Sequence, residues 1–448
     1  MRVIILGAGQ VGSNLARKMA QENHDVVIID TQAEKIQVLQ EQLDILGLIG
    51  DGVSLPVLLQ AGIDAADLFV AVTRNDSINI LACVLAREFG VKRKVARIRD
   101  NTYSAYPDKL DLAALGIDFI IHPEDRAADN IVTLIRQTSA TDILEVGGGK
   151  MQIIGVKVDA AFLHQQLRLQ DLPPAEGFSF RTVAIKRKNQ TLVPTGTDQF
   201  LADDFAYFLV DAKKAKALLK YLGKPQRRLK NIMILGASRI GRAIARRLQD
   251  ELNIKIIDNN KQHSRQAADE LTNTLVVYGD GTDLDLLVQE GIIEMDVLIA
   301  ATADDETNFI ATLLGKHLQV PRTISIVNNA YYMPITPTIG LDAVVSPQTL
   351  IVNQIAKYIR SEEVASIASI PGVSAEAIDL IAEAGAAITK GPLQAIAFPR
   401  GAILGGVVHA EKDVEIAIGS TEIKTGDRAI VFCLPHALGK VEKLFRSS

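Results

Sequence analysis

One segment constrains the fold more than any other. The apolar run of residues 3–6 opens directly into Gly7-Ala8-Gly9-Gln10-Val11-Gly12 and then into the helix-like SNLARKMA. Strand, glycine-spaced turn and helix in that order make the first unit of a parallel α/β sheet built to hold a dinucleotide. The segment then returns as IMILGASRIG at residues 232–241, where 236 − 7 and 241 − 12 both give an offset of 229. Polar residues follow the same offset, with Asp51 matching Asp280, Thr73 matching Thr302, Asp76 matching Asp305 and Asn79 matching Asn308. Chance periodicity does not carry polar residues at constant spacing over about 100 positions, so the chain reads as one design written twice.

Around each glycine turn, short apolar runs alternate with helix-like stretches. In the first copy these runs are RVIILG, DVVIID, DILGLIG, LFVAVT, VARIRD and DFIIHP. This alternation predicts a doubly wound parallel sheet with helices on both faces. ILACVLAREFG, residues 80–90, reads as an amphipathic helix with Ile80, Val84 and Leu85 turned to the sheet. Residues 127–137 and 351–360 read as helices leaving each sheet, and the segments beyond them change to short strands and turns. The expected fold is α/β, with two tandem Rossmann-like sheets each followed by a small β-rich α+β domain. The expected boundaries are 1–123, 140–222, 230–348 and 366–448, which suits a chain of 448 residues.

Composition narrows the function classes. With 48% hydrophobic and 23% charged residues the chain can bury substantial cores, yet no run approaches the roughly 18 apolar residues of a membrane span. A core strand starts at the third residue, which leaves no room for a signal peptide and makes the cytoplasm the expected compartment. Cys83 and Cys433 both sit in apolar contexts and are expected to be buried small hydrophobes. A net charge of −5 offers no footprint for nucleic acid, and Arg227, Arg228 and Lys230 read as a solvated linker. Scattered histidines and two distant cysteines make no metal motif, and no nucleophile elbow or Walker loop occurs, so neither metal nor catalytic residues are expected.

The candidate site is built on Gly7, Ala8, Gly9, Gln10, Val11 and Gly12. In the dinucleotide fingerprint the three glycines permit a tight turn, close approach of backbone to pyrophosphate, and close helix packing; the helix N-terminus then favours the anion. Asp30 ends the second strand eighteen residues past Gly12 and is placed to accept from a ribose diol. An acid there favours NAD(H) or an adenine nucleotide over a 2′-phosphorylated cofactor. The competing reading is a turn serving packing alone, with Asp30 capping the next helix. Asp51 either touches the base or ribose or caps a helix; Thr73 either faces the phosphates or forms a turn. Arg97 and Arg99 are expected on one strand face, either reaching a phosphate or forming a surface pair. Glu124 and Asp125 read as a cation pair or, better, as acids at a helix start.

The second copy keeps Asp258 and Asp280, which extend the candidate list, but has Ser238 in place of Gly9, Ile326 in place of Arg97 and Asn328 in place of Arg99. A weaker, different or vacant second site is expected.

LGAGQVG, Asp30, GDG at 50–52, VTRND at 72–76 and the β-rich appendages, all of it repeated, make the whole chain resemble the TrkA family. These are cytosolic regulatory subunits of bacterial Trk potassium uptake systems, with two RCK modules, each a KTN nucleotide-binding domain plus a TrkA-C domain. The resemblance implies NAD(H) and ATP or ADP as regulatory ligands, contacted by residues 7–12, Asp30, Asp51, Thr73 and Arg97. It further implies a homo-oligomer, expected to be a tetramer forming a ring of RCK modules, docked on a TrkH- or TrkG-type potassium pore at the cytoplasmic face of the inner membrane. The alternative is an NAD-dependent dehydrogenase. Hydride transfer needs an acid or base near the nicotinamide, and neither β-rich appendage offers a convincing one.

Overall fold

The computed structural model describes residues 1–100, 102–105, 109–137, 140–188, 190–224, 229–359, 364–369, 373, 375–409 and 413–447. Arg227, Arg228 and the last residue of the second expected crossover helix, Arg360, lie outside the described residues.

Among the described residues four sheets carry the chain. The first holds β1 (Arg2–Leu6), β2 (Asp25–Asp30), β3 (Leu46–Ile49), β4 (Leu68–Ala71), β5 (Arg93–Arg97) and β6 (Phe119–Ile121) in the order β3-β2-β1-β4-β5-β6. Every pairing in it is parallel. The second holds β7 (Asp142–Val146), β8 (Met151–Lys157), β9 (Phe180–Arg187), β10 (Gln190–Leu192) and β11 (Phe205–Asp211), antiparallel in the order β10-β9-β11-β8-β7. The third repeats the first with β12 (Asn231–Leu235), β13 (Asn253–Asp258), β14 (Thr274–Tyr278), β15 (Val297–Ala300), β16 (Arg322–Ile326) and β17 (Ala343–Val345). The fourth repeats the second with β18 (Val364–Ser369), β19 (Glu376–Ile381), β20 (Ala402–Val408), β21 (Val414–Ile416) and β22 (Arg428–Cys433). The expected α/β fold class is therefore observed, with the strand order of a dinucleotide-binding sheet in both copies.

The parallel strands read as continuous apolar runs because helices cover both their faces: residues 3–5 and 27–29 are all fully buried. The helix Asp76–Glu88 covers the sheet, but not with the expected face. Asn79, Ala82, Cys83 and Ala86 are buried, while Ile80, Val84 and Leu85 are half-buried flanks and Leu81 is exposed. Small side chains let this helix approach the strands closely, and the larger apolar residues are pushed to its sides. Burial pushes the Cys83 thiol up to about 12, so it stays protonated at neutral pH. Cys433 is buried as well.

The chain forms two compact units. One comprises Met1–Ala127, Asn328–Ala330 and Ser346–Ile359. In it the crossover helix that follows the third sheet, Pro347–Ile359, packs on the helix Gln10–Gln21 of the first: Ile351, Val352 and Ile355 join Leu15, Ala16 and Met19 in one cluster. Gln348 is buried there, accepting from Asn14 Nδ2 at 2.9 Å and donating to Gln10 Oε1. Tyr358 stacks on Phe119 with ring centroids 4.8 Å apart.

In the other unit the two antiparallel sheets share a core of Val146, Met151 and Leu209 with Ala377, Ile430 and Phe432. Their repeat carries one informative difference. Arg187, ending β9, forks onto Asp204 with contacts of 3.0 and 2.9 Å. At the matching place after β20 stands His409, whose Nδ1 lies 2.8 Å from Asp427 and Nε2 3.1 Å from Glu415. Burial opposes the imidazolium, but the bonds to Asp427 and Glu415 outweigh it and hold its pKa above the ordinary histidine value. A folded pKa raised above the unfolded one adds stability that is fully present in weak acid and lost as pH rises through the folded value. Thermal melts are therefore expected to show a lower midpoint at about pH 8 than at about pH 6, with the difference shrinking in His409→Gln.

Candidate functional site

The crevice forms where the sheet order reverses, between β1 and its neighbours β2 and β4. Gly7 leaves β1 with φ +105°, and a Cβ there would lie 3.1 Å from Thr73 N. A Cβ on Gly12 would come within 1.8 Å of the Gly7 carbonyl oxygen. Packing alone thus accounts for Gly7 and Gly12. It does not account for Gly9, where an added Cβ meets nothing within 4 Å. Gly9 is the N-cap of the helix Gln10–Gln21 and supplies no side-chain cap. The open space lies in front of the helix end at which backbone N–H groups favour an anion, so the residues present fit a pyrophosphate.

Asp30 fastens this turn. Its Oδ2 accepts from Ala8 N at 2.6 Å and its Oδ1 from Gln32 N at 2.9 Å, while Gly7 N donates to Ile29 O at 2.8 Å. Asp51 lies in the loop after β3, where its Oδ1 accepts from Val53 N at 3.1 Å; the next helix, Leu55–Gln60, starts from Ser54 instead. Gly52 holds that loop against β1, since a Cβ there would meet Leu6 Cδ1 at 2.0 Å.

Thr73 is organised by a residue that sequence reasoning treated only as a mark of duplication. Asn79 is fully buried; its Oδ1 accepts from Thr73 N at 3.0 Å and Thr73 Oγ1 at 2.7 Å, and its Nδ2 donates to Thr73 O at 3.2 Å and Arg97 O at 2.8 Å. One amide thereby ties the ends of β4 and β5 together. Asn308 makes the same four contacts with Thr302 and Ile326. The legible signal was an amide six residues past a threonine in both copies.

The arginines differ from expectation. β5 ends at Arg97, so Arg99 lies beyond the strand and does not share its face; Arg99 N instead donates to Asp76 Oδ2 at 2.9 Å. Arg97 Nη2 meets Glu124 Oε1 at 3.2 Å, which gives Glu124, in the first turn of Pro123–Arg136, an ion pair in place of a cation. Burial lowers the Arg97 pKa, against the raising effect of Glu124. A phosphate arriving at Arg97 would compete with Glu124 for it.

In the second copy Asp258 repeats the bracing role, accepting from Ala237 N at 2.6 Å and Asn260 N at 2.7 Å. Asp280 accepts from Thr282 N and Oγ1, both at 2.8 Å, and these bonds hold its carboxyl below the usual range. Ser238 turns inward: Oγ donates to Ala301 O at 2.6 Å and accepts from Gly241 N at 3.2 Å. It occupies a helix-terminal donor that Gly9 leaves uncapped.

The TrkA-N domain model matches residues 3–123 and 232–347, more than half of the chain. Over 455 residues the chain is 32% identical to the Trk system potassium uptake protein TrkA of Halomonas elongata, spanning 100% of this chain and 99% of that protein. The chain belongs to the TrkA family. Solved structures agree on its fold. The GsuK RCK domain matches with a TM-score of 0.63 at 19% identity, covering 99% of this chain and 94% of its own, and the GsuK channel bound to NAD matches with a TM-score of 0.62 at 20% identity, covering 99% and 78%. This TrkA-family chain thus carries two TrkA-N copies, each with a braced glycine turn, of which the first alone leaves its N-cap position open.

Proposed function

We propose that this chain is the nucleotide-sensing regulatory subunit of a Trk-type potassium uptake system. The reading rests on the match along its whole length to the potassium uptake protein of Halomonas elongata, and the open space at Gly9 supports ligand binding as the sensing step. In this reading residues 7–12, Asp30, Asp51, Thr73 and Arg97 hold NAD(H), with ATP or ADP as competing ligands. Asp258 and Asp280 serve a second site of different affinity. The domains 1–123 and 230–348 sense; 140–222 and 366–448 complete each module.

Among the described residues no helix is long and apolar enough to cross a membrane. In this reading ion passage belongs to a pore partner of the TrkH or TrkG type. The subunit docks on it as a homo-oligomeric, tetrameric ring at the cytoplasmic face of the inner membrane and catalyses no reaction. For gating, the nucleotide must bind two ring shapes with unequal affinity, because equal affinity shifts nothing.

Co-purification with a pore subunit, followed by potassium flux in vesicles with each nucleotide in turn, tests the proposal. A flux that responds to one nucleotide and not another is expected. Steady NADH oxidation with a small carbonyl substrate would overturn it in favour of a dehydrogenase.

A further inference from the structure

The first helix of the chain is gripped at its ligand-facing end by a side chain 338 residues away. Gln10 is the first residue of the helix Gln10–Gln21, directly after the uncapped Gly9. Gln10 and Asn14 stand four positions apart, which puts them on one helix face, one turn from each other. Gln348 fits between them. Its Nε2 donates to Gln10 Oε1 at 2.5 Å, and its Oε1 accepts from Asn14 Nδ2 at 2.9 Å. Gln348 is only 5% exposed, so its amide depends on these two partners. The bonds continue beyond Asn14, whose Oδ1 accepts from Arg17 Nη1 at 3.4 Å, while Arg17 Nη2 donates at 3.0 Å to Gln42 Oε1 at the end of Ala33–Gln42.

Attachment of the two helices does not need this bridge. Ile351, Val352 and Ile355 already pack with Leu15, Ala16 and Met19. Apolar contact is non-directional and tolerates small shifts, whereas a hydrogen bond weakens steeply as its length and angle change. The amides therefore fix the pose of the first helical turn, whose free N–H groups face the open space at Gly9.

The arrangement belongs to one copy. At the offset of 229, Gln10 becomes Arg239 and Asn14 becomes Ala243. Counted from Pro123 and Pro347, which open the two crossover helices, Gln348 stands where the first copy has Glu124. Glu124 pairs with Arg97, and Ile326 in the matching place offers no such partner. A glutamine amide donates and accepts at once, which neither a carboxylate nor an ammonium can do. It also adds no negative charge beside a helix end that favours an anion.

We propose that Gln348 is a positioning residue of the first nucleotide site: it holds Gln10, and with it the helix end facing the ligand's phosphates, so that nucleotide affinity is coupled to the seating of Pro347–Ile359. The inference rests on the first glycine turn binding nucleotide and adds to that site a residue from the second copy. The coupling is reciprocal: a seated helix favours the ligand, and the ligand favours the seated helix by the same factor.

Calorimetric titration of NAD⁺ into the full chain tests it, with thermal melts and amide hydrogen exchange in parallel. Gln348→Met keeps length and apolar packing while removing both bonds. Affinity is expected to fall at least about fivefold, with the melting midpoint within about 3 °C of the original. Saturating NAD⁺ should slow exchange in residues 10–21 and 347–359 of the original chain; in Gln348→Met the slowing in 347–359 is lost while that in 10–21 persists. Gln348→Glu can still be held, because Gln10 and Asn14 can each turn an N–H toward it, but it sets a charge beside the helix end. Affinity should fall about tenfold at about pH 7.5 and recover at least about threefold, relative to the original chain, at about pH 5.5 as the introduced carboxyl takes up a proton. That arm stands even if Gln348→Met folds poorly. Equal NAD⁺ affinity in all three proteins, with unaltered exchange in 347–359, would overturn this inference and leave the nucleotide reading intact. Weakened binding that only tracks a lowered melting midpoint, without recovery in acid, would also overturn it, by making Gln348 a packing residue. If the original chain binds neither NAD⁺ nor NADH, the nucleotide reading falls and this inference falls with it.

Discussion

Asp30→Ala is expected to lower the NAD(H) affinity of the first site by about 100-fold, while Asp258→Ala lowers total nucleotide binding less than about tenfold. Two hydrogen bonds from a ribose diol to a carboxylate are worth about 1.5–3 kcal/mol each net of exchange with water, which reaches that factor. Asp30 also holds the turn itself, since Ala8 N donates to it at 2.6 Å. Removing the carboxylate therefore withdraws a ligand contact and loosens the backbone that faces the pyrophosphate. Asp258 makes the matching bond to Ala237 N, also at 2.6 Å, so loss of bracing alone acts alike in both copies. Any difference between the two variants then reports ligand contact. Calorimetric titration of NADH into each variant, alongside melts to show that both remain folded, makes the comparison. Equal losses would show that the two sites carry equal weight.

Much of this architecture is legible in the sequence, for a physical reason. A parallel sheet covered on both faces needs continuous apolar strands, and β1, β2 and β4 have them; duplication then let each copy check the other. Less legible were features decided by tertiary contact. Periodicity weighs large apolar side chains, so it chose Ile80, Val84 and Leu85 for the helix face that Asn79, Ala82, Cys83 and Ala86 in fact bury. The run VARIRD carries the strand three residues past the observed end of β5 at Arg97, because the alternation of Arg97 and Arg99 looks strand-like while Asp76 captures the Arg99 amide. Residues 351–359 lie in a helix as expected, within Pro347–Ile359, yet nothing in a single helix says which copy's sheet it covers. Ile351 and Ile355 suit either copy, and the compact unit they join is that of the first sheet. At Ser238 the identity was informative but the reason differed. The β-carbon and hydroxyl that serine adds suggest an obstacle to the pyrophosphate, whereas the hydroxyl turns inward, donating to Ala301 O and taking the Gly241 amide.

That last point separates the glycines of the opening turn by experiment. Gly12→Ala places a Cβ 1.8 Å from the Gly7 carbonyl oxygen, a clash with backbone that no side-chain rotation relieves. It is expected to destabilise the chain by about 3 kcal/mol or more and to abolish nucleotide binding with the fold of the turn. Gly9→Ser meets open space instead and copies the cap seen at Ser238. A serine N-cap is worth a few tenths of a kcal/mol over glycine, so urea melts should show unchanged or slightly raised stability. NAD(H) affinity should nevertheless fall at least about tenfold, because the hydroxyl takes the Gly12 amide that faces the ligand and is no longer available to it. The reciprocal Ser238→Gly uncaps the second helix and is expected to strengthen nucleotide binding at the second site. A folded protein that loses affinity identifies Gly9 as a residue kept for ligand alone. If Gly9→Ser instead destabilises the chain as Gly12→Ala does, the turn is a packing device throughout, and sensing must be sought away from residues 7–12.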